Sequence, residues 1–133
     1  MYFPPKRNRR GALAVEFSIA AIVLFAFLFA SIELGLANMM LHTAEAAAYE
    51  GARTAMLPGA TVAESETAVR DILAIAQIRV ADVQFVPNDL TQETDTVRVT
   101  VTFNFADNTT LVPRLMNTGP IIRECELSRE LVD

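Results

Sequence analysis

Hydrophobic and polar positions divide the chain into four successive patterns. Residues 12–32, ALAVEFSIAAIVLFAFLFASI, are apolar apart from Glu16, Ser18 and Ser31. At about 1.5 Å per residue, a helix of that length matches a hydrocarbon core of roughly 30 Å. Residues 33–57 contain no proline and only two glycines, Gly35 and Gly51. They are rich in Ala, Leu, Met and Glu, so the helix is expected to continue. Leu36, Met40, Ala44, Ala47, Ala48, Gly51 and Ala55 share one face at a period of 3.6. Small residues four apart (Ala44, Ala48, Ala52; Ala47, Gly51, Ala55) let a neighbour approach closely. Glu50 and Arg53 stand at i, i+3 and pair on the wet side. Pro58-Gly59 then stops the helix. The expectation is one helix of about 45 residues, on the order of 65–70 Å long.

Beyond that turn the pattern changes twice. Thr61 and Glu64 form a capping box. From there to about Ala76, Val62, Val69, Ile72, Leu73 and Ala76 lie on one face, which predicts a short amphipathic helix. The period then falls to two. Residues 78–86, IRVADVQFV, read as a strand with imperfect alternation. Residues 96–105, TVRVTVTFNF, give the clearest strand: Val97, Val99, Val101, Phe103 and Phe105 face one way, Arg98, Thr100, Thr102 and Asn104 the other. Residues 106–110 turn, and residues 111–120 are irregular. Residues 121–131 alternate more weakly, with Ile121, Cys125, Leu127 and Leu131 inward. The fold class is α+β: a long helix, a short helix and roughly three antiparallel strands. A sheet that small has one face to bury. The short helix and the outer half of the long one are its natural covers.

Charge adds an orientation. The chain has 133 residues, 52% of them hydrophobic, and a net charge of −5. Lys6, Arg7, Arg9 and Arg10 sit in a leader, residues 1–11, that holds no acid. The remainder carries 7 Arg against 16 Asp and Glu, a net −9. Cations beside an apolar run favour the cytoplasmic side, so the C-terminal part is expected outside the cytoplasmic membrane. The acidic remainder would repel phosphate backbones, which argues against a nucleic-acid partner. With Cys125 alone, the fold cannot rest on an internal disulfide. It reads as a small buried hydrophobe rather than a reactive thiol. His42 is also alone and reads as a surface or interface residue. A metal site or catalytic dyad lacks its partners: there is no second His, CxxC or HExxH. The acids are scattered over helix surface, loop and strand-exposed positions, as on a solvated surface. No enzyme, cofactor or small-molecule substrate is therefore expected.

The sharpest chemical signal is RRGALAVEF, residues 9–17. A carboxylate at the mouth of a membrane run is costly and usually functional. Three readings compete. In a plain anchor, Glu16 snorkels toward the headgroups. A cleavable secretory signal would use Gly35-Leu36-Ala37 as its small-x-small site. Against it, Glu16 interrupts the front of the core and helix-favouring sequence runs past the cut. In the third reading the chain is cut after Gly11. The new ammonium on Ala12 then stands at i, i+4 from Glu16 on one helix face. The carboxylate neutralises that ammonium, or one on an adjacent subunit, where an unpaired charge would be expensive.

RRGALAVEF resembles the start of the TadE-like family of minor pilins, or pseudopilins, of tight-adherence pilus systems. AAAYEGARTAMLPGAT, residues 46–61, resembles that family's second block, an EGAR-type stretch before a Pro-Gly turn. The matching stretches cover about residues 9–61. Ala12 departs from the aromatic first residue of many type IV pilins. The resemblance implies a pilin-like head and processing by a membrane prepilin peptidase between Gly11 and Ala12. It implies Glu16 as the assembly carboxylate, and a role in initiating, priming or regulating pilus assembly. Partners would be membrane lipid, the peptidase, other pilins or pseudopilins and the assembly platform. The domain scheme is then a leader at 1–11, a helix at 12–57 spanning the membrane to about 32, and an extracytoplasmic head at 58–133. The protein would lie in the cytoplasmic (inner) membrane as a single-pass, pilus-associated protein, N-terminus inside. The competing function is a single-pass, membrane-anchored binding or sensor module that keeps its leader.

Overall fold

The computed structural model describes residues 9–91, 94–109 and 119–128. The chain forms two compact units, Met1–Leu34 and Gly35–Asp133. Helix α1, Arg9–Ala55, is a continuous 47 residues and contributes to both. It stops where expected: the last N–H groups turn back onto Ala52, Arg53 and Thr54, and Gly59 follows at φ 79°.

In the first unit, α1 is apolar on every side and exposed. Phe17, Ile22, Leu24 and Phe27 are all at least 66% accessible. A helix of this kind requires an apolar surrounding. Its two serines are already satisfied: Ser18 Oγ donates to the Ala14 carbonyl and Ser31 Oγ to that of Phe27, both at 2.8 Å.

In the second unit, α1 changes character. Ala37, Met40, Ala44, Ala47, Ala48, Ala52 and Ala55 are buried along one face, as the period predicts, and Leu36 packs partly buried beside them. The neighbours of this small-residue face belong to the same chain. A methyl group built on Gly51 would overlap Val69 Cγ2 and stand 3.5 Å from Val99 Cγ1. Glycine is needed here because α2 and the sheet leave no room for a side chain.

Helix α2, Val62–Ile75, begins with the predicted capping box. The Glu64 N–H donates to Thr61 Oγ1 at 3.2 Å, and the Thr61 N–H donates to Glu64 Oε2 at 3.1 Å. Val69, Leu73 and Ala76 are buried as predicted; Val62 and Ile72 pack at the edge of the same core. Ser65, also fully buried, returns its hydroxyl to the Thr61 carbonyl at 3.0 Å. α2 ends in a Schellman arrangement. The Gln77 N–H reaches the Ala74 carbonyl and the Ile78 N–H that of Leu73, with Gln77 at φ 58°.

The sheet is antiparallel, in order β1-β2-β3. β1 is Ala81–Val86, β2 Thr96–Phe103 and β3 Ile121–Ser128. β2 pairs centrally, placing Val99 opposite Phe85 on one side and Cys125 on the other. Val97, Val99, Val101 and Phe103 are buried as predicted. Each such side chain contributes about 1.5–3 kcal/mol by leaving water. Two strand boundaries move. β1 starts at Ala81 rather than residue 78, because Ile78 closes α2 and the N–H groups of Arg79 and Val80 donate to Asn108 Oδ1. Phe105 is buried, yet not from a strand: it opens a one-turn helix, α3, Phe105–Asn108. The predicted inward position of Leu131 lies outside the described residues.

Gly51→Val should lower head stability by about 2 kcal/mol through overpacking against Val69. Gly35→Ala, where the space is open, should not. Thermal unfolding of the detergent-solubilised chain compares the two. Gln77→Gly should stabilise by about 0.5–1 kcal/mol by relieving the left-handed backbone, read in the same experiment.

Candidate functional site

Gly11 and Ala12 lie in the first turn of α1, which begins at Arg9. Nothing lies within 4 Å of a side chain built on Gly11. The turn carries Arg9, Arg10 and a glycine and no acid. Cations at the positive end of the helix dipole weaken that turn. Arg10, Ala12 and Glu16 are exposed, and Ala12 and Glu16 stand at i, i+4 on the helix. Glu16 has no hydrogen-bond or ion-pair partner among the described residues. The expected cations Lys6 and Arg7 lie outside those residues.

Glu33 bounds the uncharged run at its other end. Its Oε1 is shielded from solvent and has no hydrogen-bond partner among the described residues. Shielding of a single oxygen leaves no mark in a residue pattern, so the sequence did not signal it.

The head brings Cys125 and His42 to one open groove of about 590 Å³, with Glu45, Ala46, Tyr49 and Glu124. His42 Nδ1 is 3.9 Å from Glu45 Oε2, beyond hydrogen-bonding distance, and both side chains are largely in water. Cys125 is half-buried, with its side chain against the core. Burial, and then the Glu45 carboxylate, push its thiol above the ordinary cysteine range. Both effects oppose the thiolate, the form a nucleophile would need. A second cavity, of about 510 Å³, is lined by Ala55, Leu57–Thr61, Leu90 and Thr91, none of them titratable between pH 3 and 10. Among the described residues no cluster of His, Cys, Asp and Glu is arranged to hold a metal.

The exposed sheet face is polar. Arg98 Nε and Nη2 both donate to Glu126 Oε2 on the neighbouring strand, at 2.8 and 2.6 Å. That contact, and then the charges of Glu126 and Glu124, raise the guanidinium further above its usual range. Arg98 is thus engaged within its own sheet. Sequence reading missed Asn108, whose amide also donates to the carbonyls of Val80 and Asn104, both at 2.9 Å. The polar cluster at residues 106–110 signalled a turn but not the strand it would latch.

The structure defines an α+β head continued from a helix long and apolar enough to cross a membrane. The similarity to known proteins lies in the helix: residues 11–53, under half of the chain, match the family described as TadE-like protein. That match bears out the resemblance seen in RRGALAVEF and the EGAR stretch. It points to a Tad-pilus-related minor pilin, a structural rather than a typically enzymatic class. Helix and family together fit a membrane-anchored protein. No curated protein and no solved structure matches the chain.

Cys125 should alkylate slowly in the folded chain, with its pH midpoint above that of a free cysteine. Glu45→Gln should lower the midpoint only partly, because burial is the larger cause. Rates measured with a small maleimide across pH check both.

Proposed function

We propose that the chain is a TadE-like pseudopilin, cut between Gly11 and Ala12 by a prepilin peptidase and used in assembling a Tad-type adhesive pilus. It acts by helix packing in the membrane and by contacts of its head with other pilins or pseudopilins and the assembly platform. The observation that carries this reading is the Gly11–Glu16 spacing at the start of a family-matched apolar helix, where Glu16 lacks a partner among the described residues.

Length supports it. Residues 17–32 are the uncharged run between Glu16 and Glu33. Their rise is about 24 Å, short of a hydrocarbon core of roughly 30 Å. From Arg10 to Glu33 the rise is about 35 Å, which spans that core. With Arg10 on the cytoplasmic side and Glu33 at the outer face, Glu16 falls within the hydrocarbon edge. The serines of the run need nothing from outside, so Glu16 is the group that calls for a cation. Cutting after Gly11 removes the arginines and leaves an ammonium on Ala12, one turn from the carboxylate. Glu16 then also sits near the positive end of the new helix. A neighbouring subunit's ammonium meets the same demand, which makes the carboxylate a means of docking one helix beside another.

In a host with an active prepilin peptidase, mass spectrometry of the membrane-extracted protein should give an N-terminus at Ala12. An intact leader there would overturn the processing step and favour an uncleaved anchored module. Glu16→Ala should leave the cut in place and lower recovery of assembled pilus at least about tenfold, the scale of losing one partner of a buried ion pair. Unchanged recovery would remove Glu16 from assembly.

A further inference from the structure

The two edges of the sheet are finished differently. β1 is short, has α2 beside it and is followed directly by Pro87, features that blunt an edge. β3 keeps unbroken register with β2 from Ile121 to Ser128, with no proline and no bulge. Among the described residues nothing pairs with its other side. In an antiparallel ladder, alternate residues of such a strand turn both N–H and C=O outward. The core is open here as well. Val97, Val99, Val101 and Phe103 of β2 are buried, whereas Ile121, Cys125 and Leu127 of β3 are only partly so. The groove of about 590 Å³ lies along this edge: α1 lines it with His42, Glu45, Ala46 and Tyr49, β3 with Glu124 and Cys125, and β2 takes no part. Tyr49 is 51% exposed. Two carboxylates mark the groove. Glu124 has no hydrogen-bond or ion-pair partner among the described residues, and Glu45 has only His42, at 3.9 Å. The edge's own cation, Arg123, folds back onto the Ile122 carbonyl at 2.9 Å.

We propose that the free edge of β3 is a strand-docking site for an extended segment of a partner protein in which apolar and basic residues alternate. The inference goes beyond the pseudopilin reading and does not rest on it. Main-chain hydrogen bonds to the outward N–H and C=O groups of β3 hold such a segment, and its side chains fall on alternate faces. On the α1 face, apolar side chains enter the groove over Ala46, whose methyl group leaves the room, and against the ring of Tyr49. They also cover Cys125 and its half-buried neighbours. On the other face, the cross-strand row of Gln84, Thr100 and Glu124 gains a fourth member. A lysine or arginine there meets the unpaired Glu124. Opposite charges across neighbouring strands attract, and like charges destabilise. The same rule disfavours a second copy of this chain. Antiparallel pairing of two β3 strands, with inward rows together and overlap greatest, sets Glu124 against Glu124 or Glu126 of the other copy.

The test uses the full chain in non-ionic detergent and short fluorescent peptides: alternating valine and lysine, alternating valine and glutamate, and the valine–lysine composition in scrambled order. Fluorescence anisotropy reads binding, with detergent alone as the blank, and amide hydrogen exchange over residues 121–128 reads the site. The valine–lysine peptide should bind and slow that exchange, with the other two weaker by about fivefold or more. Ala46→Trp fills the groove from an exposed position and should weaken binding by about tenfold or more, the scale of losing an interface hot spot. Glu124→Lys should reverse the preference between the two charged peptides. No binding of the valine–lysine peptide overturns the proposal. Binding that leaves exchange at 121–128 unchanged, or that Ala46→Trp does not weaken, overturns the site. Equal binding of all three peptides overturns the partner chemistry. Exchange at 121–128 that slows with protein concentration alone overturns the partner in favour of a second copy of this chain. None of these outcomes bears on a mature N-terminus at Ala12, which tests the pseudopilin reading separately.

Discussion

The head depends on one close approach. α1 can lie against α2 and the central strand only because its inward face ends at Cβ or, at Gly51, before it. Val69 and Val99 fill the space a side chain there would need. The alanines either side of Gly51 repeat this along the helix, and each is essentially inaccessible. Close contact along such a seam gives many weak dispersion contacts at little side-chain entropy cost. The larger residues, Leu73, Phe85, Val97, Val99 and Val101, come from the facing elements. Small against large is how a three-stranded sheet with two helical covers reaches core density.

The same helix meets a different requirement nearer its start. There the side chains are large and apolar all round, and a backbone whose hydrogen bonds are internal suits a bilayer. Ser18 and Ser31 fold their hydroxyls back onto the helix, leaving the acids at the two ends of the run as its chemically demanding groups. A carboxylate in that setting has few options. It takes up a proton, reaches water, or finds a cation. The pseudopilin reading selects the third and provides the cation by creating it. The head offers no competing chemistry of comparable definition: its cysteine is held toward the thiol form, its histidine lies open to water, and Arg98 is bound to its strand neighbour.

Much of this architecture was legible in the residues. Periods of 3.6 and 2 identified α1, α2, β2 and β3, because amphipathicity is a local consequence of side-chain direction. The Thr61–Glu64 box and the Pro58-Gly59 stop were equally local. The sequence also held the Gly11–Glu16 spacing, which needs only a helix to acquire meaning. Misplaced boundaries lay where a distant group intervened. β1 begins late because Asn108, nearly thirty residues on, takes the N–H groups that would have lengthened it. Phe105 kept its inward side but reached it from a helical turn, since a single buried aromatic does not distinguish the two.

What the sequence by itself determined, then, is the set of elements, the apolar span and the acid placed just inside it. Each is written in neighbours a few residues apart. Only the tertiary structure decided which surface the small-residue face would meet, a sheet and helix of its own chain. It also decided that Arg98 would be paired with Glu126 on the neighbouring strand. Those outcomes depend on contacts between residues far apart in the chain, and no local period encodes them.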